Sequence, residues 1–140
     1  MFKTQSGKFN YTSSGFNEFG DEISHYDYPH TDYEIIKFDD SPSESNVRLV
    51  HDIIERFRKK GIKVYILPPA IAKSVYEKNE DYAKTVEKLL IQNGMRFEVP
   101  LTRHVFPDSM TFDTYYHMGK NAVDSLSKLI IEEYKGFGYR

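Results

Sequence analysis

The chain has no cysteine. That excludes a disulfide scaffold, a thiol nucleophile and a Cys-ligated metal, and it leaves the redox compartment open. There is also little charge of either sign in excess: 19 Lys and Arg stand against 21 Asp and Glu, a formal net of −2. No polyanion-binding footprint or acidic tail follows from such a balance, so nucleic acid is not an expected partner. No apolar run approaches the ~20 residues that a membrane span requires. The opening MFKTQSGKFNYTSSG lacks the apolar stretch of a signal peptide, and the localisation is unreadable. Internal repeats and low-complexity tracts are missing, and no cofactor is implied. At 140 residues the chain is expected to form a single unit with a modest core.

What the sequence does contain is an alternation of β-rich runs and amphipathic stripes. Residues 1–32 are the exception. They are polar and aromatic, with Phe2, Phe9, Tyr11, Phe16 and Phe19 following no clean period, and read as an irregular segment lying across a neighbouring surface. Within it, residues 25–33, HYDYPHTDY, gather His25, Asp27, His30 and Asp32. The spacing fits no zinc motif, so no metal is assigned and a solvated loop is expected. YEIIKF at 33–38 reads as a short strand. After the turn residues DDSPSES, with Ser43 or Ser45 as cap, a helix is expected over 46–60. Its inward stripe would be Val47, Val50, Ile53, Ile54 and Phe57, its stop Gly61, and His51 would lie on its side, at the surface or its boundary.

IKVYIL at 62–67 is the best strand, stopped by Pro68 and Pro69, and its continuous apolar character suits a parallel sheet with covered faces. Residues 70–78 form a loop or short helix. A second helix is expected over 80–92, with Tyr82, Val86, Leu89 and Leu90 inward and Gly94 closing it. RFEVPL at 96–101 is the next strand. A strand–helix–strand unit of this length implies parallel strands in a right-handed crossover.

The stretch FPDSMTFDTYYHMGKNAVDSLSKLIIEEY, 106–134, then joins a polar loop to a helix over 118–134, with Val123, Leu126, Leu129, Ile130 and Tyr134 on one face. His117 stands where that helix should begin, and Asp113 and Asp108 precede it on the same loop. A helix dipole and a neighbouring carboxylate act on such a ring in opposite senses, a setting suited to a general base. Asp113 is favoured as the partner, with Asp108 as the second candidate.

Strand-like IKVYILPP, a helix, strand-like RFEVPL and then FDTYYHMGKNAVDSLSKLI resemble the C-terminal half of an SGNH (GDSL-type) hydrolase-like protein, over roughly residues 47–134. The resemblance implies a flavodoxin-like three-layer α/β fold, here incomplete, and makes Asp113 or Asp108 and His117 the acid and base of a Ser-His-Asp triad. The family's Asp-x-x-His spacing would place Thr114 at the acid position. Its Gly-Asp-Ser nucleophile block is absent; Ser6, Ser13, Ser14 and Ser24 lie in no nucleophile context, and only by elimination would Asn10 or Asn17 serve an oxyanion hole.

Two function classes follow. One is the C-terminal part of an esterase or acyl-hydrolase, with an acyl ester or acylated carbohydrate as the implied substrate and little or no activity in this chain alone. The other is a noncatalytic α/β binding or assembly module. A sheet of few strands with an open edge, together with the N-terminal aromatics, implies a homodimer or higher assembly.

Overall fold

The structure, a computed structural model, describes residues 12–38 and 41–138. It is mixed helix and strand, with a small two-stranded parallel sheet. Helix α1 covers Glu44–Arg58, α2 Lys73–Lys78, α3 Glu80–Gln92 and α4 Lys120–Gly136. Strands β1, Ile71–Ala72, and β2, Val105–Phe106, pair in parallel with Ile71 opposite Val105. Phe2, Ser6, Phe9, Asn10 and Tyr11, named above, lie outside the described residues.

Helix α1 starts, and α1 and α3 stop, as their residue types dictate. The Ser43 hydroxyl accepts the Asn46 N–H at the head of α1, beside Glu44 in the first turn. At the other end Gly61 takes a φ of +74°. Its N–H donates to the Arg58 carbonyl, and that of Ile62 reaches back to Phe57. The end of α3 repeats the device: Gly94 has a φ of +70°, with Gly94 and Met95 donating to Ile91 and Leu90. Both are Schellman caps, which satisfy carbonyls that a helix end would leave unpaired and which favour glycine.

Each cap feeds an extended segment, and the two segments run side by side. Residues 62–67 and 96–101 are not regular strands, contrary to the sequence reading. They share a backbone bond from Glu98 N–H to the Ile66 carbonyl, 2.9 Å, and regular pairing begins only beyond them. Pro68, Pro69 and Pro100 have no N–H to give a ladder, and the Pro68 carbonyl is taken by the His104 ring, 2.7 Å from Nδ1. The expected strand at 33–38 is likewise no strand. The side-chain amide of buried Asn79 accepts from the Phe38 N–H and donates to the Ile36 carbonyl, doing the work of a neighbouring strand.

Helices cover both faces of the extended pair. Val64, Ile66 and Phe97 pack with Val47, Ile54, Val86, Leu90 and Met95 on the α1–α3 side. Tyr65, pointing the other way by the two-residue alternation of extended chain, stacks on Phe137 at the end of α4, with ring centroids 4.6 Å apart. A second cluster joins Phe106, Met118 and Ala122 to Val123, Leu126 and Leu129 of α4. The expected stripes are only partly buried. Val50, Ile53 and Phe57 of α1 are each 44 % exposed, and Ile130 and Tyr134 of α4 also face outward. The small sheet offers each helix too little apolar surface to cover its whole face.

One buried polar network ties the pair to α4. His104 is 1 % exposed, and its Nε2 faces both Glu133 carboxylate oxygens at 3.2 Å, while the Arg103 Nε donates to the same carboxylate at 2.7 Å. Removing one member leaves the Pro68 carbonyl and part of a buried carboxylate without a donor. His104→Ala is therefore expected to lower unfolding stability by about 2–4 kcal/mol. Urea denaturation followed by circular dichroism checks this; a loss near zero would remove the network from any structural role.

Candidate functional site

The loop between β2 and α4 is closed at its neck by backbone. Thr111 and Met118 form an isolated antiparallel bridge. The Phe112 N–H donates to the His117 carbonyl at 2.7 Å, and the Gly119 N–H to the Met110 carbonyl at 2.8 Å. Within the neck, the His117 N–H reaches the Thr114 carbonyl, making a four-residue turn over 114–117. Gly119 admits this closure: a Cβ there would stand 3.1 Å from the Met110 oxygen. The loop is pinned to the carboxyl end of β1 by the Ala72 N–H, which donates to the Tyr115 carbonyl at 2.8 Å.

That closure sets Asp113 and His117 face to face. His117 Nδ1 lies 2.8 Å from Asp113 Oδ1, and each side chain keeps about a quarter of its exposure, 24 and 22 %. A carboxylate can only accept, so the ring donates from Nδ1 and is held in that tautomer. His117 lies three residues ahead of the first residue of α4, so the loop rather than the helix end positions it, a correction to the expected helix start at 118. Asp108 is placed elsewhere. Its Oδ1 accepts the Ser74 N–H at 3.0 Å, in the first turn of α2, and its carbonyl accepts both the N–H and the hydroxyl of Thr111. It fastens α2 to the loop rather than holding the His117 ring.

The sequence reading missed the second half of the cluster. His25, taken as part of a solvated loop, is 6 % exposed, and its ring centroid is 4.4 Å from that of His117. Its Nδ1 meets Glu22 Oε2 at 2.9 Å and its Nε2 the Met118 carbonyl at 3.2 Å. Phe112 touches both rings, at centroid distances of 5.4 and 5.3 Å. His30 Nδ1 is bound to the Thr111 carbonyl and Thr31 to that of Phe112, so residues 25–31 lie across the histidine loop. The one signal available beforehand was the density of histidine in HYDYPHTDY, which names no partner. Among the described residues no group of three His, Asp or Glu side chains could hold a metal ion.

Of the described serine and asparagine candidates, Ser14, Ser24 and Asn17 have other tasks. The Ser24 hydroxyl donates to Glu22 Oε1, and Ser14 shares a hydrogen bond with Thr12. Asn17 closes its own turn: its Oδ1 accepts the Phe19 and Asp21 N–H groups and its amide donates to Asp21. Burial would push the Glu22 carboxyl up, but hydrogen bonds from the Ser24 hydroxyl, His25 and the Ser24 N–H outweigh it and bring it below the usual carboxylate range.

A lowered carboxyl stabilises the fold fully above its unfolded value, roughly pH 4.3, and loses that contribution as pH falls through its lower folded value. Acid unfolding is thus expected to be shallower in Glu22→Gln than in the wild type below about pH 4.3, which a denaturation series against pH would show. Parallel acid profiles for the two proteins would mean that Glu22 adds nothing.

Compared with known proteins, no family model, no curated sequence and no solved structure matches this chain.

Proposed function

We propose that this chain carries the acid–base end of an acyl-hydrolase site of the SGNH type, with His117 as general base and Asp113 as the carboxylate that orients it. The carrying observation is the 2.8 Å bond between Asp113 Oδ1 and His117 Nδ1, in a loop fastened to the carboxyl end of a parallel strand. Such a pair fixes the imidazole tautomer, and in a triad the ring's other nitrogen takes the proton of a hydroxyl. The reading places the two extended segments and their helices within a flavodoxin-like three-layer fold whose Gly-Asp-Ser block lies outside these residues. An acyl ester, or an acylated carbohydrate, is the corresponding substrate class.

On this reading the chain alone hydrolyses a short-chain p-nitrophenyl ester weakly. That rate comes from water activated by the His117 base, so it falls in His117→Ala and is indifferent to Ser13→Ala, Ser14→Ala and Ser24→Ala; a positioned base contributes about 10²–10⁴-fold. A large rate abolished by one of those serine substitutions would overturn the missing-nucleophile assignment. The coding sequence directly upstream supplies the second test: a Gly-Asp-Ser after an apolar strand supports the hydrolase, and a frame without one favours the noncatalytic module.

That second reading has an observation of its own. Leu49, Val50, Ile53 and Phe57 form an outward apolar stripe on α1. Beside it an open cleft of about 350 Å³ runs along Arg58, Gly61, Ile62, Lys63, Val64 and Tyr65, none of them in the histidine loop. Exposed apolar patches of this kind mark association surfaces, and self-association through this face is the expected form. Sedimentation should then show an assembly that Ile53→Glu disperses. A wild-type monomer at high concentration would count against it.

A further inference from the structure

We propose that His25 is the positioning residue of His117: carrying a proton on each ring nitrogen, it bridges the Glu22 carboxylate to the Met118 carbonyl and braces the His117 ring by direct contact.

The proton assignment comes from the surroundings. One His25 nitrogen faces a carboxylate oxygen at 2.9 Å and the other a backbone carbonyl oxygen at 3.2 Å. Neither group can donate when the carboxyl is ionised, and Glu22 is held in its ionised form by the donors around it. A ring between two acceptors makes both bonds only as an imidazolium. Its charge is compensated at once by Glu22, which is why so buried a cation is tolerated.

The bridge acts on His117 in two ways. Met118 is a neck residue of the histidine loop, paired with Thr111 and adjacent in sequence to His117. Gripping its carbonyl fixes the backbone from which the His117 ring projects. The His25 ring itself, tilted 50° at 4.4 Å, and Phe112 at 5.3 Å then limit the rotations open to His117 while Asp113 holds Nδ1. Among the described residues, charged groups facing this assembly include Asp113 on His117 and Glu22 on His25, with Asp21, Lys120 and Asp124 further out around Tyr26, which packs on His25. Gly15 lets the bracing turn come close, because a Cβ there would fall 2.7 Å from Glu22 Oε1 and 2.8 Å from Ser24 Oγ. In treating His117 as a base the inference rests on the function proposed above; the bracing itself does not.

Ring-nitrogen NMR on the uniformly ¹⁵N-labelled full chain tests it without any turnover. In the wild type His25 should show two N–H protons, and His117 an N–H at Nδ1. His25→Phe keeps a ring against His117 but removes both donors. Exchange of the His117 Nδ1 proton with water should then speed about tenfold, the scale of one lost hydrogen-bonded restraint, with the backbone amide spectrum otherwise preserved. If His25→Phe does not fold, Glu22→Gln tests the proton assignment instead: its amide can donate to Nδ1, so His25 should fall to a single N–H. A wild-type His25 with a single N–H, two N–H protons kept in Glu22→Gln, or a His117 proton whose exchange is unchanged in folded His25→Phe, would overturn the proposal. An inactive chain in the ester assay, with these signals as expected, would sink the hydrolase reading and leave the bracing in place.

Discussion

Two backbone hydrogen bonds, Gly119 to Met110 and Phe112 to His117, fold the chain back on itself, and the site exists because of them. Without that neck, Asp113 and His117 would be four residues apart on a polar loop, free to sample many separations. With it, the carboxylate and the ring meet across a tight turn, and the entropy of bringing them together is met by the backbone rather than by the pair. The neck is in turn held from three directions. Ala72 at the end of β1 binds Tyr115, His25 binds Met118, and His30 and Thr31 bind Thr111 and Phe112. These donors come from segments far apart in sequence, so the loop's geometry is a property of the assembled chain.

That difference in range explains what could be foreseen. The ends of α1 and the stop of α3 follow from local chemistry, a serine cap at the head of α1 and a left-handed glycine after each helix, and the sequence places them to within a few residues. The Asp113–His117 bond was also foreseeable, because it needs only a turn of four residues. The Asp108 carboxylate and the His25 ring were not, because their partners, the Ser74 N–H and the Met118 carbonyl, are 34 and 93 residues away. Composition names a titratable side chain; it does not say which backbone group will stand opposite it.

The strands failed for a different reason. Residues 62–67 and 96–101 are β-rich and meet through the Glu98–Ile66 bond, but the strands lie further on, at Ile71–Ala72 and Val105–Phe106. But apolar character decides only that a segment is covered, whereas a ladder also needs donors at the right intervals. Prolines at 68, 69 and 100 remove three of them, and the His104 ring and Asn79 amide answer carbonyls that another strand would otherwise have answered. The result is a sheet of two residues per strand with extended arms, stabilised chiefly by the helices packed on either face.

This economy of sheet has a cost on the outside. Two small apolar clusters, one between α1 and α3 and one beneath α4, bury the middle of each helix and leave its flanks uncovered. A fuller sheet would place further strands beneath Val50, Ile53 and Phe57, and a second copy of the chain could cover the same residues from outside. The hydrolase reading and the assembly reading therefore compete for one surface but not for one site. The histidine loop is held by Ala72, His25, His30 and Thr31, none of them on α1, so among the described residues the supports of the bond between Asp113 and His117 stand apart from the face that α1 presents.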